Sequence, residues 1–189
     1  MKDREWCKKI EDEIIGLKNR VDKMEGKVSC SDLPKELSAD IEWPEADIGG
    51  LHFNEQKTHA VFELKEDGNY YSRDILFVSA RDTDDRTGRD ILTEYLDSEA
   101  VRNAFHNAAR NAGLSSVIGE DIRVFLPKEN QGVKKFNGVT WGYWLLPRSS
   151  SSAAYFVLVN VNGNSYYGNT ASSALGCAPA FCVGGNRHG

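Results

Sequence analysis

The first pattern along the chain is a spacing of three and four. Cys7, Ile10, Ile14, Leu17, Val21, Met24 and Val28 are apolar, and Lys, Glu, Asp, Arg and Asn fill most positions between them. Those residues occupy alternating a and d positions of heptads, so residues 5–28 predict one helix of about 35 Å at ~1.5 Å per residue. Its stripe is narrow, as in a coiled-coil seam, rather than the wider face of a helix lying on a core. The expectation is a self-associating helix, residues 1–29, with the oligomerisation contacts on Ile10, Ile14, Leu17, Val21, Met24 and Val28. The a and d residues do not choose between trimer and dimer. The competing reading is a helix docked back on its own domain.

Residues 30–50 carry Pro34, Pro44 and Gly49-Gly50 and read as a linker, with the globular domain following at 51–189. Within that domain the apolar pattern predicts strands at Thr58–Leu64 and Ile75–Ala80, with a turn at Glu66-Asp67-Gly68-Asn69. Two helices are expected next, Asp90–Leu96 and Ser98–Ala112. The second begins on a serine N-cap, stops before Gly113 and places Val101, Ala104, Phe105, Ala108 and Ala112 on one face. Strands are predicted again at Ile122–Leu126, in a hairpin over Val133–Leu146 turning at Asn137-Gly138, at Tyr155–Val161 and at Ala178–Val183, with a turn at Asn162-Gly163-Asn164. Helices between groups of strands, with long loops in the second half, read as α+β.

Composition alters this picture in one place. Ser149 to Leu175 is a run of 27 residues without Lys, Arg, Glu, Asp, Gln, Met, Trp or His, in a chain that is 27% charged. The run holds Tyr155, Phe156, Tyr166 and Tyr167 among Ser, Gly and Asn. That mixture serves binding loops, because rings supply contact area at low entropic cost and small polar side chains adapt their hydrogen bonds. The plainer reading is a flexible Ser/Gly/Asn-rich loop.

Charge excludes more than it selects. Residues 130–189 carry +4 from Lys134, Lys135, Arg148 and Arg187, which leaves −9 of the net −5 on residues 1–129. The acidic part argues against nucleic-acid binding, and the basic part is too sparse to track phosphates. No apolar run is long enough to span a membrane, and the charged start MKDREWCKKIEDE lacks the apolar centre of a signal peptide. Four cysteines, Cys7, Cys30, Cys177 and Cys182, form no CxxC zinc pattern. The cluster Arg81-Asp82-Thr83-Asp84-Asp85-Arg86 lacks the spacing and closing Glu of a calcium loop. His52, His59, His106 and His188 form no ligand spacing, and Ser-His-Asp, P-loop and dinucleotide fingerprints are absent from the linear sequence. No catalytic residue, metal site or cofactor is therefore expected.

The aromatic opening WGYWLLPRS, the central Asn-Gly turn and the closing GCAPAFCV resemble the C-terminal region of C-type-lectin-fold proteins of the formylglycine-generating-enzyme-like branch. Within it the chain is similar to the variable proteins of diversity-generating retroelements, such as phage major tropism determinants and bacterial surface adhesins. The resemblance is loose over residues 50–183 and good over 141–183. It implies a C-type lectin fold behind the coiled coil, and a function as a diversified binding protein for a protein or glycan receptor on a cell surface. The location implied is a phage tail or a cell exterior. Such retroelements rewrite adenines, mostly in AAC and AAT codons, and the products never include Lys, Glu, Gln, Met or Trp. Residues 149–175 contain none of the five.

On that reading the variable, ligand-binding positions come from Ser150, Ser151, Ser152, Tyr155, Phe156, Leu158, Asn164, Ser165, Tyr166, Tyr167, Asn169, Ser172, Ser173 and Leu175, with Val157, Val159, Gly163 and Ala171 as framework. Three rival readings stand beside it. One is a structural virion or surface subunit without a diversified site. Another is a calcium-dependent lectin, which Asn160, Asn162, Asn164 and Asn169 cannot support without a carboxylate. The last is a copper-dependent oxidase of the formylglycine-generating type, using Cys177 and Cys182.

Overall fold

The computed structural model describes residues 33–45, 57–79, 88–114, 122–148, 155–170 and 175–183. The predicted coiled-coil helix, with its seam from Ile10 to Val28, lies outside the described residues. One compact unit begins at Pro34 and runs to the end of the chain. It is mixed α and β, with strands predominating.

The domain starts earlier than its sequence implied. Residues 36–42 are not linker: Glu36–Glu42 is strand β1, with Leu37, Ala39 and Ile41 buried and the alternate residues exposed. That alternation is the period of a half-buried strand. Two buried tyrosines secure its flanks, for Tyr70 donates to the Pro34 carbonyl at 2.7 Å and Tyr95 to the Pro44 carbonyl at 2.8 Å. The prolines that resemble linker punctuation are strand boundaries, where a missing N–H costs no ladder bond.

Strands β2 (Lys57–Leu64), β3 (Asn69–Ser72) and β4 (Phe77–Ser79) follow. The predicted turn joins β2 to β3, with Gly68 at φ +80° and the Asp67 carboxylate accepting from the Asn69 amide at 2.9 Å. Helix α1 is Gly88–Leu96 and helix α2 is Glu99–Ala109. Ser98 caps α2 as expected, its hydroxyl accepting from the Val101 amide. The chain then passes through one wider turn, Arg110–Leu114, where Gly113 sits at φ +92°. Val101, Phe105, Ala108 and Ala109 are buried, whereas Ala104 and Ala112 are only half-buried.

The second half supplies β5 (Ile122–Phe125), β6 (Lys134–Phe136), β7 (Val139–Trp141), β8 (Tyr143–Arg148), β9 (Tyr155–Val159), β10 (Ser165–Thr170), β11 (Leu175–Cys177) and β12 (Ala180–Val183). The β6–β7 hairpin turns at Asn137-Gly138, with φ +49° and +79°. Two consecutive positive φ angles make the tight turn that Asn-Gly favours.

These strands form two five-stranded sheets, ordered β1-β2-β3-β12-β5 and β10-β9-β8-β11-β4, beside the small β6–β7 ribbon. Two short passages stitch the sheets together. Residues 72–77 cross from β3 to β4, and residues 177–180 cross from β11 to β12. They run side by side, with the Ser72 amide on the Pro179 carbonyl at 3.1 Å and the Leu76 amide on the Cys177 carbonyl at 2.8 Å. The end of the chain thereby enters the middle of the first sheet, where β12 pairs with both β3 and β5.

Helix α2 covers the inner face of the first sheet. Phe181 of β12 is the hub there. Its ring stacks on Tyr70 at 5.1 Å and meets Phe62 and Phe105 edge-on at 5.0 and 5.7 Å. All four rings are essentially fully buried, and edge-to-face and offset pairs add to plain area burial. The second sheet has its own cluster, in which Ile75, Val78, Tyr143, Leu145, Val157, Val159 and Ala178 pack with Phe136 and Trp141.

Candidate ligand-binding surface

Strand β9 is the interior strand on which the surface is mounted. Its run Tyr155-Phe156-Val157-Leu158-Val159 is apolar throughout, and the two-residue period sends Phe156 and Leu158 to one face, Val157 and Val159 to the other. Both faces are covered. Phe156 meets Trp144 edge-on at 6.2 Å, while Val157 and Val159 join the second sheet's cluster. The expectation that Phe156 and Leu158 contact ligand is corrected, because both are buried core residues.

The β9–β10 turn organises itself around Asn160. Its side-chain oxygen accepts from the Asn162 and Asn164 amides, each at 3.0 Å. Its backbone N–H donates to the Asn164 carbonyl and its carbonyl accepts from Gly163, both at 2.9 Å. Gly163 has φ +80°, and a Cβ there would lie 2.8 Å from Cγ2 of Val133. Only glycine meets both demands. A neighbouring loop latches on: the Asn130 amide donates to the Gly163 carbonyl at 2.9 Å and to the Ser165 hydroxyl at 3.1 Å. That loop is anchored in turn by the buried Tyr143, whose hydroxyl accepts from the Gln131 amide and donates to the Gly132 carbonyl, both at 3.0 Å. Burial pushes the Tyr143 phenol up to about 12, so it keeps the proton this double role requires.

Beyond the turn, β10 is the edge of the second sheet among the described residues. Its pairing with β9 slips: Tyr166 opposes Leu158 and Asn169 opposes Phe156, so β10 carries one extra residue in that interval. Such a bulge re-aims side chains and twists an edge. Tyr166 and Tyr167 are 54% and 60% exposed. Val133, Val139 and Val161 are the other large apolar side chains exposed among the described residues. Asn164 is exposed and Ser165 half-buried. The patch from Asn130 and Val133 across the turn to Tyr167 is thus uncharged, ring-bearing and rich in amides, suited to contact rather than to proton transfer.

The other predicted positions are distributed differently. Ser150, Ser151, Ser152, Ser172 and Ser173 lie outside the described residues. Tyr155 and Asn169 are placed in the ladder by their backbones, Tyr155 opposite Thr170 and Asn169 opposite Phe156. Leu175 is half-buried, and its Cδ2 would lie 3.2 Å from a Cβ on Gly142, so it packs over that glycine. Asn130, Val133 and Val161 were missed by sequence reasoning. The available signal was a run of β-branched residues beside turn glycines, Gly132-Val133 and Val161-Asn162-Gly163.

The two late cysteines lie on different sheets. Both are free, Cys177 on β11 in one sheet and Cys182 on β12 in the other. Cys177 is fully buried, and burial holds its thiol well above the usual range, opposite to the thiolate that metal ligation needs. Among the described residues no group of three or more His, Cys, Asp or Glu side chains is placed to hold a metal ion, and no helix is long and apolar enough to cross a membrane. The chain matches no family model, no curated protein and no solved structure.

Proposed function

We propose that the chain is a diversified receptor-binding protein of C-type-lectin fold, carried on a phage tail or a cell surface and multimerised through its N-terminal helix. The observation that carries the reading is the pair Tyr166 and Tyr167, exposed side by side on a bulged edge strand next to a turn built by Asn160. Exposed rings held by a rigid ladder anchor a partner at low entropic cost, and Asn164, Ser165 and Asn130 supply adaptable hydrogen bonds around them. The restricted composition of residues 149–175 supports a diversified rather than a constant surface. The partner is a protein or glycan receptor. No cofactor takes part.

The test is deep sequencing of the gene's last third across a growing population and related isolates. Substitutions should concentrate at AAC and AAT codons, fall on exposed positions such as Asn164, Tyr166 and Tyr167, and spare Phe156 and Leu158. A uniform sequence, or variation spread evenly over buried and exposed positions, would sink the diversified reading and leave a constant adhesin or structural subunit.

A further inference from the structure

The geometry points to a second site on the opposite sheet, an acyl-transfer centre formed by Ser38, His59 and Asp40 with activated esters as its substrate class. The Ser38 hydroxyl lies 2.8 Å from Nε2 of His59, and Nδ1 of His59 lies 2.8 Å from the Asp40 carboxylate. In the tautomer that carries its proton on Nδ1, His59 donates to the Asp40 carboxylate and leaves Nε2 to accept from the serine hydroxyl. Nucleophile, base and orienting acid are therefore joined in the order that hydroxyl activation requires, whatever their order in the chain. The register makes the arrangement. Asp40 stands directly opposite His59 on antiparallel β1 and β2, and Ser38 sits diagonally, two residues away on the same face.

The surroundings complete a reacting site. The Leu64 amide bonds to the Lys35 carbonyl and the Arg73 amide to the Val61 carbonyl, so even-numbered β2 residues turn toward β1 and odd-numbered ones toward β3. Ser38 and Asp40 oppose the odd residues Val61 and His59, and their own N–H groups therefore point to the free edge of the sheet. Among the described residues β1 is the outermost strand. A groove of about 610 Å³ runs along this edge; Ser38, Asp40 and His59 reach it from the exposed face of the sheet, and Asn103, Asn107 and Asn111 of the α2 segment from the covered face. The edge amides of Ser38 and Asp40 are the donors available to a developing oxyanion.

In the reaction, the Ser38 oxygen attacks the ester carbonyl carbon while its proton passes to Nε2 of His59. The carbonyl–oxygen bond to the alcohol breaks, and the alcohol leaves with that proton, giving an acyl-serine. Water then attacks the acyl carbon, losing its proton to Nε2, and the carboxylic acid departs as Ser38 is restored. His59 and Asp40 are 66% and 56% exposed, so their attraction is screened and activation is modest. Activated esters, not amides, are the matching substrates.

The experiment uses the full chain with p-nitrophenyl acetate, and separately with a fluorophosphonate followed by mass mapping of the adduct. A single adduct at Ser38 is expected. Nitrophenolate release should fall about tenfold or more in Ser38→Ala and in His59→Ala, and less in Asp40→Asn. Release unchanged in Ser38→Ala, an adduct elsewhere, or no adduct on the unaltered chain overturns the assignment. The adduct map needs no variant, and the three side chains are exposed, so loss of fold does not obscure the result.

Discussion

Lys134 is the residue whose environment is most at odds with its chemistry. It is 5% exposed, and its ammonium donates to the Ser72 and Arg73 carbonyls while lying 5.7 Å from the centroid of the Tyr143 ring. Burial pulls the amine down from 10.5 to about 8, partly opposed by the carboxylates of Asp74 and Glu63. The folded chain therefore releases this proton near pH 8, and the unfolded chain only near 10.5. Between those values the unfolded state binds more protons, so this group's contribution to stability rises with pH, by up to roughly 3 kcal/mol. The two carbonyl bonds and the ring hold the charge in place and trim that figure. Chemical denaturation of wild type and Lys134→Met from pH 7 to 10 checks it: the stability difference should move in favour of wild type as pH rises. A flat difference would show that the buried ammonium is fully compensated.

At the scale of elements, the β9–β10 hairpin separates scaffold from surface, and two substitutions distinguish them. Tyr166→Ser with Tyr167→Ser removes two exposed rings from an edge, where changes usually stay within about 0.5 kcal/mol of stability. Phe156→Ser deletes a fully buried ring packed on Trp144 and leaves a hydroxyl in its place, costing about 3–5 kcal/mol or more. Thermal melts should leave the tyrosine variant near wild type and drop Phe156→Ser by roughly 6–20 °C, at ~2–4 °C per kcal/mol. Receptor binding should respond in the tyrosine variant although its fold does not. The same hairpin shows what was legible in advance. Tyr155–Val159 reads as a strand, but an apolar run of five cannot say whether one face or two are covered. Here both are, and Phe156 and Leu158 moved inward. Ser165–Thr170 was hidden because its Ser, Gly and Asn suit a loop as well as a bulged edge. At β1, Leu37, Ala39 and Ile41 show a clear period of two, yet Pro34 and Pro44 outweighed it. The Asn137-Gly138 turn and the Ser98 cap were legible because a backbone angle or an unpaired amide demands those residue types locally. The Ser38–His59–Asp40 alignment had no linear signature, since it exists only in the register of β1 on β2.

For the whole molecule, two connections decide how its parts act together. One is the passage through Gly176, which lies between Val78 of β4 and Tyr143 of β8. A Cβ on Gly176 would sit 2.6 and 2.7 Å from the Cδ1 and Cγ2 atoms of Ile75, itself buried where residues 72–77 cross between the sheets. Gly176→Ala should cost about 1–3 kcal/mol through overpacking, and Ile75→Ala in the same chain should recover part of it. Additive losses in the double variant would place the strain elsewhere. The other connection joins the domain to the heptads before it. The compact unit begins at Pro34, and the buried residues described here all lie beyond that point. Deleting residues 1–29 should therefore leave the domain's melting behaviour intact. If the seam from Ile10 to Val28 self-associates, sedimentation will shift from oligomer to monomer. Affinity for a single receptor in solution will hold, while apparent affinity for a densely coated surface falls by about 10²–10⁴, the scale of lost multivalency. A helix docked on its own domain predicts the reverse. Truncation would then lower the melting temperature and leave the oligomeric state alone, because the apolar stripe would have been covering the core rather than a second copy.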